Sequence, residues 1–212
     1  MASSRFPLLA ASFAVLLLAA TSCTFAARHR PDAASTAAVK PPKPLACAKS
    51  TLKDYAKSVK LAKSLFFHWN ITDAKDGIIA ALEDKTAGSG WISVGWTGSV
   101  GKMFPSDVVV GNHVSRFTGN TNDVLAYSWT GKTDWTYSKA AGGFTLSDVS
   151  ILRGVGGTIV KFTRTGKGGS VSQAVSYDAG VINNMIWASS KARPFGKHTK
   201  RGSFAVNFGC TV

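Results

Sequence analysis

The chain has 212 residues, 45% of them hydrophobic, and sets 25 lysines and arginines against 11 acidic residues, a formal net charge of +14. That length holds one domain with a sizeable core and hardly two, and so positive a surface seeks acidic partners. Beyond the N-terminus no apolar run approaches the ~20 residues of a membrane span, so the mature chain is expected to have no spanning helix and no glycolipid-anchor tail.

Residues 1–26 read as a secretory signal: Arg5, an apolar run over 8–20, then Thr24 and Ala26 at small-residue cleavage positions. Cleavage after Ala26 removes Cys23 and leaves Cys47 and Cys210, and two cysteines in an exported chain suggest one disulfide. Closing so long a loop stabilises by about 4 to 5 kcal/mol as an upper estimate from chain entropy. Residues 27–46, rich in Ala, Pro, Lys and Ser, are expected to form a disordered linker ahead of a single domain over 47–212. With export and no nucleic-acid motif, the acidic partner is expected to be a cell-wall polymer, an acidic protein or a small anion rather than nucleic acid. Localisation is expected to be extracellular or in the cell wall.

Lysines at 49, 53, 57, 60 and 63 suit a helical face, whereas Val59, Leu61, Leu65, Phe67, Trp69 and Ile71 fall on the alternation of a strand. A strand is expected from Val59 onward, with 49–57 left open. Asn70-Ile71-Thr72 is an N-glycosylation acceptor, available if the strand turns Asn70 outward. Further strands are expected at 76–82, 91–96, 107–110, 124–129, 134–138, 147–152, 158–163, 171–177, 184–188 and 203–208. Gly and Asn punctuate them every 8 to 12 residues or so, as in an all-β sandwich.

No GxSxG, HExxH, P-loop or CxxC is present, no pair of carboxylates is marked out, and the histidines at 29, 68, 113 and 198 do not cluster. An enzyme is therefore not the favoured reading. Absence of C-x-x-C-H argues against covalently attached haem, but haem held by side chains needs only an apolar slot, fixed axial ligands and cationic groups for its carboxylates. Met103, on a loop among Gly, Ser, Lys and Pro, is one candidate ligand. His198, flanked by Lys197, Lys200 and Arg201, is the other. His113 is an alternative, and His68, between Phe67 and Trp69, reads as a strand residue.

The run GWISVGWTGSVGKMFPSDVVVG over 90–111, with LFFHWNITDAKDGIIAALE before it and TIVKFTRT and IWA after it, resembles the DOMON family in its cytochrome branch. The resemblance covers about 64–208. It implies an immunoglobulin-like β-sandwich binding haem b non-covalently through Met103 and His198, with Phe104 and Phe195 as walls of the slot. Trp91 and Trp96 are expected in the sandwich core, and Arg164 either pairs a haem carboxylate or caps a strand. Six-coordinate iron leaves no open position, which describes electron transfer rather than oxygen chemistry. The implied partners are a small anionic reductant such as ascorbate, a redox protein, or a membrane cytochrome supplied by another chain. A haem-free module binding acidic polysaccharide or protein is the other reading the family allows.

Overall fold

The computed structural model describes residues 43–86, 90–98, 101–114, 121–129, 135–137, 144–168, 174–191 and 197–212. All lie in the compact unit Ala38–Val212. The expected signal and most of the expected linker fall outside the described residues.

The β-branched and aromatic runs fold as twelve strands. They are β1 (Ala48–Lys49), β2 (Lys57–Lys60), β3 (Leu65–Ile71), β4 (Gly77–Asp84), β5 (Ile92–Thr97) and β6 (Ser106–Val114), then β7 (Thr121–Trp129), β8 (Trp135–Tyr137), β9 (Thr145–Gly154), β10 (Gly157–Thr165), β11 (Asn183–Ser189) and β12 (Lys200–Val206). They form two antiparallel six-stranded sheets, ordered β1-β2-β3-β4-β10-β9 and β12-β11-β5-β6-β7-β8. The expected all-β sandwich is the observed architecture. Two expectations change. The strand anticipated from Val59 through Ile71 is a hairpin, because Leu61 and Ala62 turn and both donate their N–H to Leu65 O (2.9 and 3.2 Å). Residues 174–177, expected in a strand, are irregular, yet they are fixed by the Asn183 amide, which accepts from Ser176 N and donates to Ser176 O.

Alternation places Phe67 and Trp69 of β3, Ile78 and Leu82 of β4, and Val160 and Phe162 of β10 on the inner face of the first sheet. Opposite them lie Ile92, Val94 and Trp96 of β5, Val109 of β6, Met185 of β11 and Phe204 of β12. Each such side chain, fully buried, stabilises by about 1.5–3 kcal/mol before conformational entropy is set against it. Gly111 marks the close approach of the sheets, for a Cβ there would sit 2.4 Å from Val160 Cγ1. Past β12, Phe208 turns back into the core at 5.7 Å from Trp69 edge to face, and its carbonyl accepts the Trp69 indole N–H at 3.0 Å.

Arg164, on the inner face of β10, is fully buried and has no salt-bridged carboxylate among the described residues. It donates to Gly166 O (2.7 Å), Gly168 O (2.8 Å) and Tyr177 Oη, and its guanidinium lies between the rings of Trp96 (4.6 Å) and Phe144 (4.4 Å). Of the two roles left open by the sequence, the structure shows the strand-end one: Arg164 takes the carbonyls just beyond β10. Desolvation lowers its pKa, opposed by the nearby Tyr177 and Asp107.

The open side of the sandwich is closed by the first described residues. Leu45 N donates to Ala205 O of β12 (2.9 Å), and Cys47 is joined to Cys210 with Cα atoms 6.4 Å apart. Residues 50–56 then cross the outer face of the first sheet and bury His68. Glu83 Oε2, an acceptor only, meets His68 Nε2 at 3.2 Å, so in the neutral ring Nε2 carries the hydrogen and Ser50 Oγ donates to Nδ1 at 2.8 Å. Tyr55 lies over this site at 6.2 Å from the imidazole, and burial, aided by Asp54, pushes its phenol up to about 12. Asn70 is engaged with the same segment, accepting from Ala56 N (2.6 Å) and donating to Asp54 O (2.8 Å).

Two outcomes follow from this closure. Replacing Cys47 and Cys210 by Ser together is expected to lower unfolding stability by about 2–5 kcal/mol, read from denaturant titration, with the strand spectrum retained. Burial lowers the His68 pKa below its usual 6.5, with Lys85 acting in the same direction and Glu83 against it. The neutral ring therefore contributes stability that is fully present above pH 6.5 and is lost as pH falls through that value towards the folded pKa. Denaturant midpoints measured from pH 7.5 to 5 are expected to fall more steeply for the native protein than for His68→Gln. Parallel profiles would show that His68 does not set the acid limb.

Candidate functional site

The second sheet is apolar on both faces. In β6, Val109 faces the core between the sheets while Val108 and Val110 face away from it, and in β11 Met185 faces inward while Ile186 and Ala188 face outward. With Trp91, Leu125 and Tyr127 these outward side chains form a second buried cluster. An antiparallel sheet at a protein surface ordinarily shows water a polar face. Here Met103 and Trp129 pack against that face instead.

Met103 reaches the cluster from the connection between β5 and β6. The strand ends clamp that connection by its carbonyls: Thr97 Oγ1 lies 3.2 Å from both Lys102 O and Pro105 O, and the buried Ser106 Oγ donates to Met103 O at 2.6 Å. Each such bond contributes about 1 kcal/mol net, and together they fix the backbone from which the thioether projects.

Over this face opens a cavity of about 360 Å³. Ser93, Ile186 and Ala188 of the sheet, together with Met103, Trp129 and Trp187, line it, and Lys102 and Arg201 add two cations. Its size is that of a small-molecule site, and its lining is about as polar as it is apolar. Trp187 is held in place by Gly202, its partner across β11 and β12: a Cβ at Gly202 would come within 2.5 Å of the indole Nε1. No chemistry of three converging His, Cys, Asp or Glu side chains occurs among the described residues.

The expected site residues separate in three ways. Met103 lines the cavity, whereas Phe104 beside it is half-buried and does not. His198 is not on the lining, but its Nε2 lies 3.4 Å from Nη1 of Arg201, which is. Arginine only donates, so Nε2 offers its lone pair in that direction. The segment carrying His198 is tied back to β11 through Thr199, whose N–H and hydroxyl both donate to Ser189 O (2.9 and 3.2 Å). Phe195 lies outside the described residues, as does the side chain of His113 on β6.

Of the two tryptophans expected in the core, Trp96 is there, while Trp91 belongs to the outer cluster. Sequence reasoning missed Trp129 as a cavity wall; Trp187 borders the cavity too, but packs against the core between the sheets. The available signal was the run Val108-Val109-Val110, three consecutive apolar residues that cannot all face one side of a strand.

Comparison with known proteins identifies no family: no family model matches the chain, and no curated protein matches it. Among solved structures it is similar to the cytochrome b domain of pyranose dehydrogenase from Coprinopsis cinerea, at 14% identity over 78% of this chain and 82% of that chain, with a TM-score of 0.48.

Gly202→Ala tests how the cavity wall is built. The added methyl is expected to displace the Trp187 indole and cost about 1–3 kcal/mol by overpacking. Tryptophan emission should shift relative to the native protein; an unchanged spectrum and midpoint would show that Trp187 does not depend on Gly202.

Proposed function

We propose that the protein binds haem b non-covalently in this cavity, with Met103 and His198 as axial ligands, and carries single electrons outside the cell. The observation that carries the reading is the apolar outer face of the second sheet, opening as a cavity beside Met103 with the Nε2 lone pair of His198 next to its Arg201 rim. The cavity offers room for an apolar group beside Met103 and Trp129, over the outward side chains of Ile186 and Ala188.

The donor set fits the group. A thioether and an imidazole are the axial pair of electron-transfer haems, and the two cations lining the cavity suit its two carboxylates. Haem held by these residues would supply a reversible one-electron centre. The chain's own residues do the rest. Thr97 and Ser106 hold the Met103 backbone, so the sulfur is presented without ordering a free loop. Arg201 faces His198 Nε2 at 3.4 Å, longer than an ordinary hydrogen bond, so the lone pair is oriented yet readily released. Ile186, Ala188 and Trp129 give the slot its apolar wall. Lys102, Lys197, Lys200 and Arg201 make this end positive, which draws anionic donors such as ascorbate, or the acidic face of a redox partner.

Purified protein supplied with haem is expected to give a sharp low-spin spectrum that responds to dithionite. Met103→Ala and His198→Ala are each expected to convert it to a broad high-spin form or to weaken binding by about tenfold or more. A protein that stays colourless would sink the reading. So would one whose spectrum neither substitution alters.

A further inference from the structure

A second surface, remote in chemistry from the apolar cavity, lies along the open side of the sandwich where β1 and β2 end the first sheet and β12 ends the second. Between residues 43 and 63 this side carries six lysines and a single acid, Asp54. Asp54 is already held by Lys161 of β10 at 3.3 Å. Lys49, Lys53, Lys60 and Lys63 are exposed and have no ion-pair partner among the described residues.

One arrangement there opposes stability within the isolated chain. Lys49 and Lys57 stand directly opposite one another across β1 and β2, and like charges so placed weaken the pairing of strands. At the neighbouring turn, Lys60 and Lys85 lie over the half-exposed ring of Phe66, at 5.9 and 4.7 Å, and the ring face attracts both cations. Lys85 is also paired with Glu83. An external polyanion would relieve the repulsion between Lys49 and Lys57.

We infer that this side is a docking surface for a linear acidic polysaccharide. The lysines run along a strand edge and two turns rather than around a pocket, so they suit an extended chain bearing repeated charges rather than a compact anion. Strands β1 and β2 hold the Cα atoms of Lys49, Lys57 and Lys60 in place, which limits the ordering that binding requires. No helix or long basic ribbon is present among the described residues to enter a nucleic-acid groove. The predicted export signal places the chain among polysaccharides. Lys57 has a second duty, donating to Phe208 O at 3.3 Å, so the exposed lysines beside it carry the docking.

The inference does not depend on what fills the cavity. Binding is measured by co-sedimentation and calorimetry with polygalacturonate, a sulfated glycan, neutral dextran and duplex DNA at low and near-physiological salt. The native protein is expected to bind polygalacturonate with strong salt dependence and to leave dextran unbound. Lys53→Gln/Lys60→Gln/Lys63→Gln should weaken binding by about tenfold or more and flatten the salt dependence. Lys75→Gln/Lys167→Gln/Lys191→Gln, removing equal charge elsewhere, should bind as the native protein does. Tighter binding of the sulfated glycan in the same variant pattern supports the surface and reassigns the source of the charge. The inference is overturned by failure to bind either acidic glycan, by equal loss in the two triple variants, or by tighter binding of DNA. Met103→Ala should bind the glycan normally, so failure here and failure of the haem reading are separately visible.

Discussion

A sheet with two apolar faces must be covered twice, and the rest of this molecule follows from that constraint. One face of the second sheet is covered by the first sheet, through the packing of Ile92, Val94, Trp96 and Met185 against Phe67, Trp69 and Phe162. On the other face, among the described residues, Met103 and Trp129 pack against a buried apolar cluster, and the cavity opens beside them. Pockets beside apolar clusters are where small molecules commonly bind. The sandwich thus provides a rigid floor for the cavity.

Rigidity near the site comes from polar groups placed at strand ends. Thr97 closes β5 and Ser106 opens β6, and both spend their hydroxyls on the carbonyls of the Met103 connection. One residue further in, Trp96 and Asp107 face the interior, where Trp96 stacks under Arg164 and Asp107 accepts from Ser128 at 2.7 Å. A charge as deeply buried as Arg164 needs partners, and the carbonyls of Gly166 and Gly168 with the Tyr177 hydroxyl take three of its five hydrogens, while its Nε has no hydrogen-bond partner among the described residues. The cation thereby organises the irregular segment after β10 as well as the end of the core.

Charge is distributed unevenly. The cavity is lined by Lys102 and Arg201, while Lys49 and Lys57 face one another across the β1–β2 ladder. At a solvated edge such repulsion is screened by salt.

Much of this was legible in residue order, because strand alternation and turn residues are local properties. Alternation in Leu65, Phe67 and Trp69 gave the inner face of β3, and glycine punctuation gave the sandwich class. Met103 stood out as a thioether among loop residues, and it lines the cavity. The hairpin at 61–64 was less legible, since Leu61 and Leu65 look like continuing alternation until the turn bonds to Leu65 O are known.

Long-range placement was not legible at all. That Gly202 makes space for Trp187, that Trp91 sits outside the core, and that Arg201 connects His198 to the cavity depend on how β5, β11 and β12 pair across about a hundred residues of chain. The sequence by itself determined which residues alternate, turn and carry charge, because those follow from neighbours along the backbone. Only the tertiary structure decided which of them meet, because strand pairing and sheet packing are set by the burial of both faces of a sheet whose strands are distant in sequence.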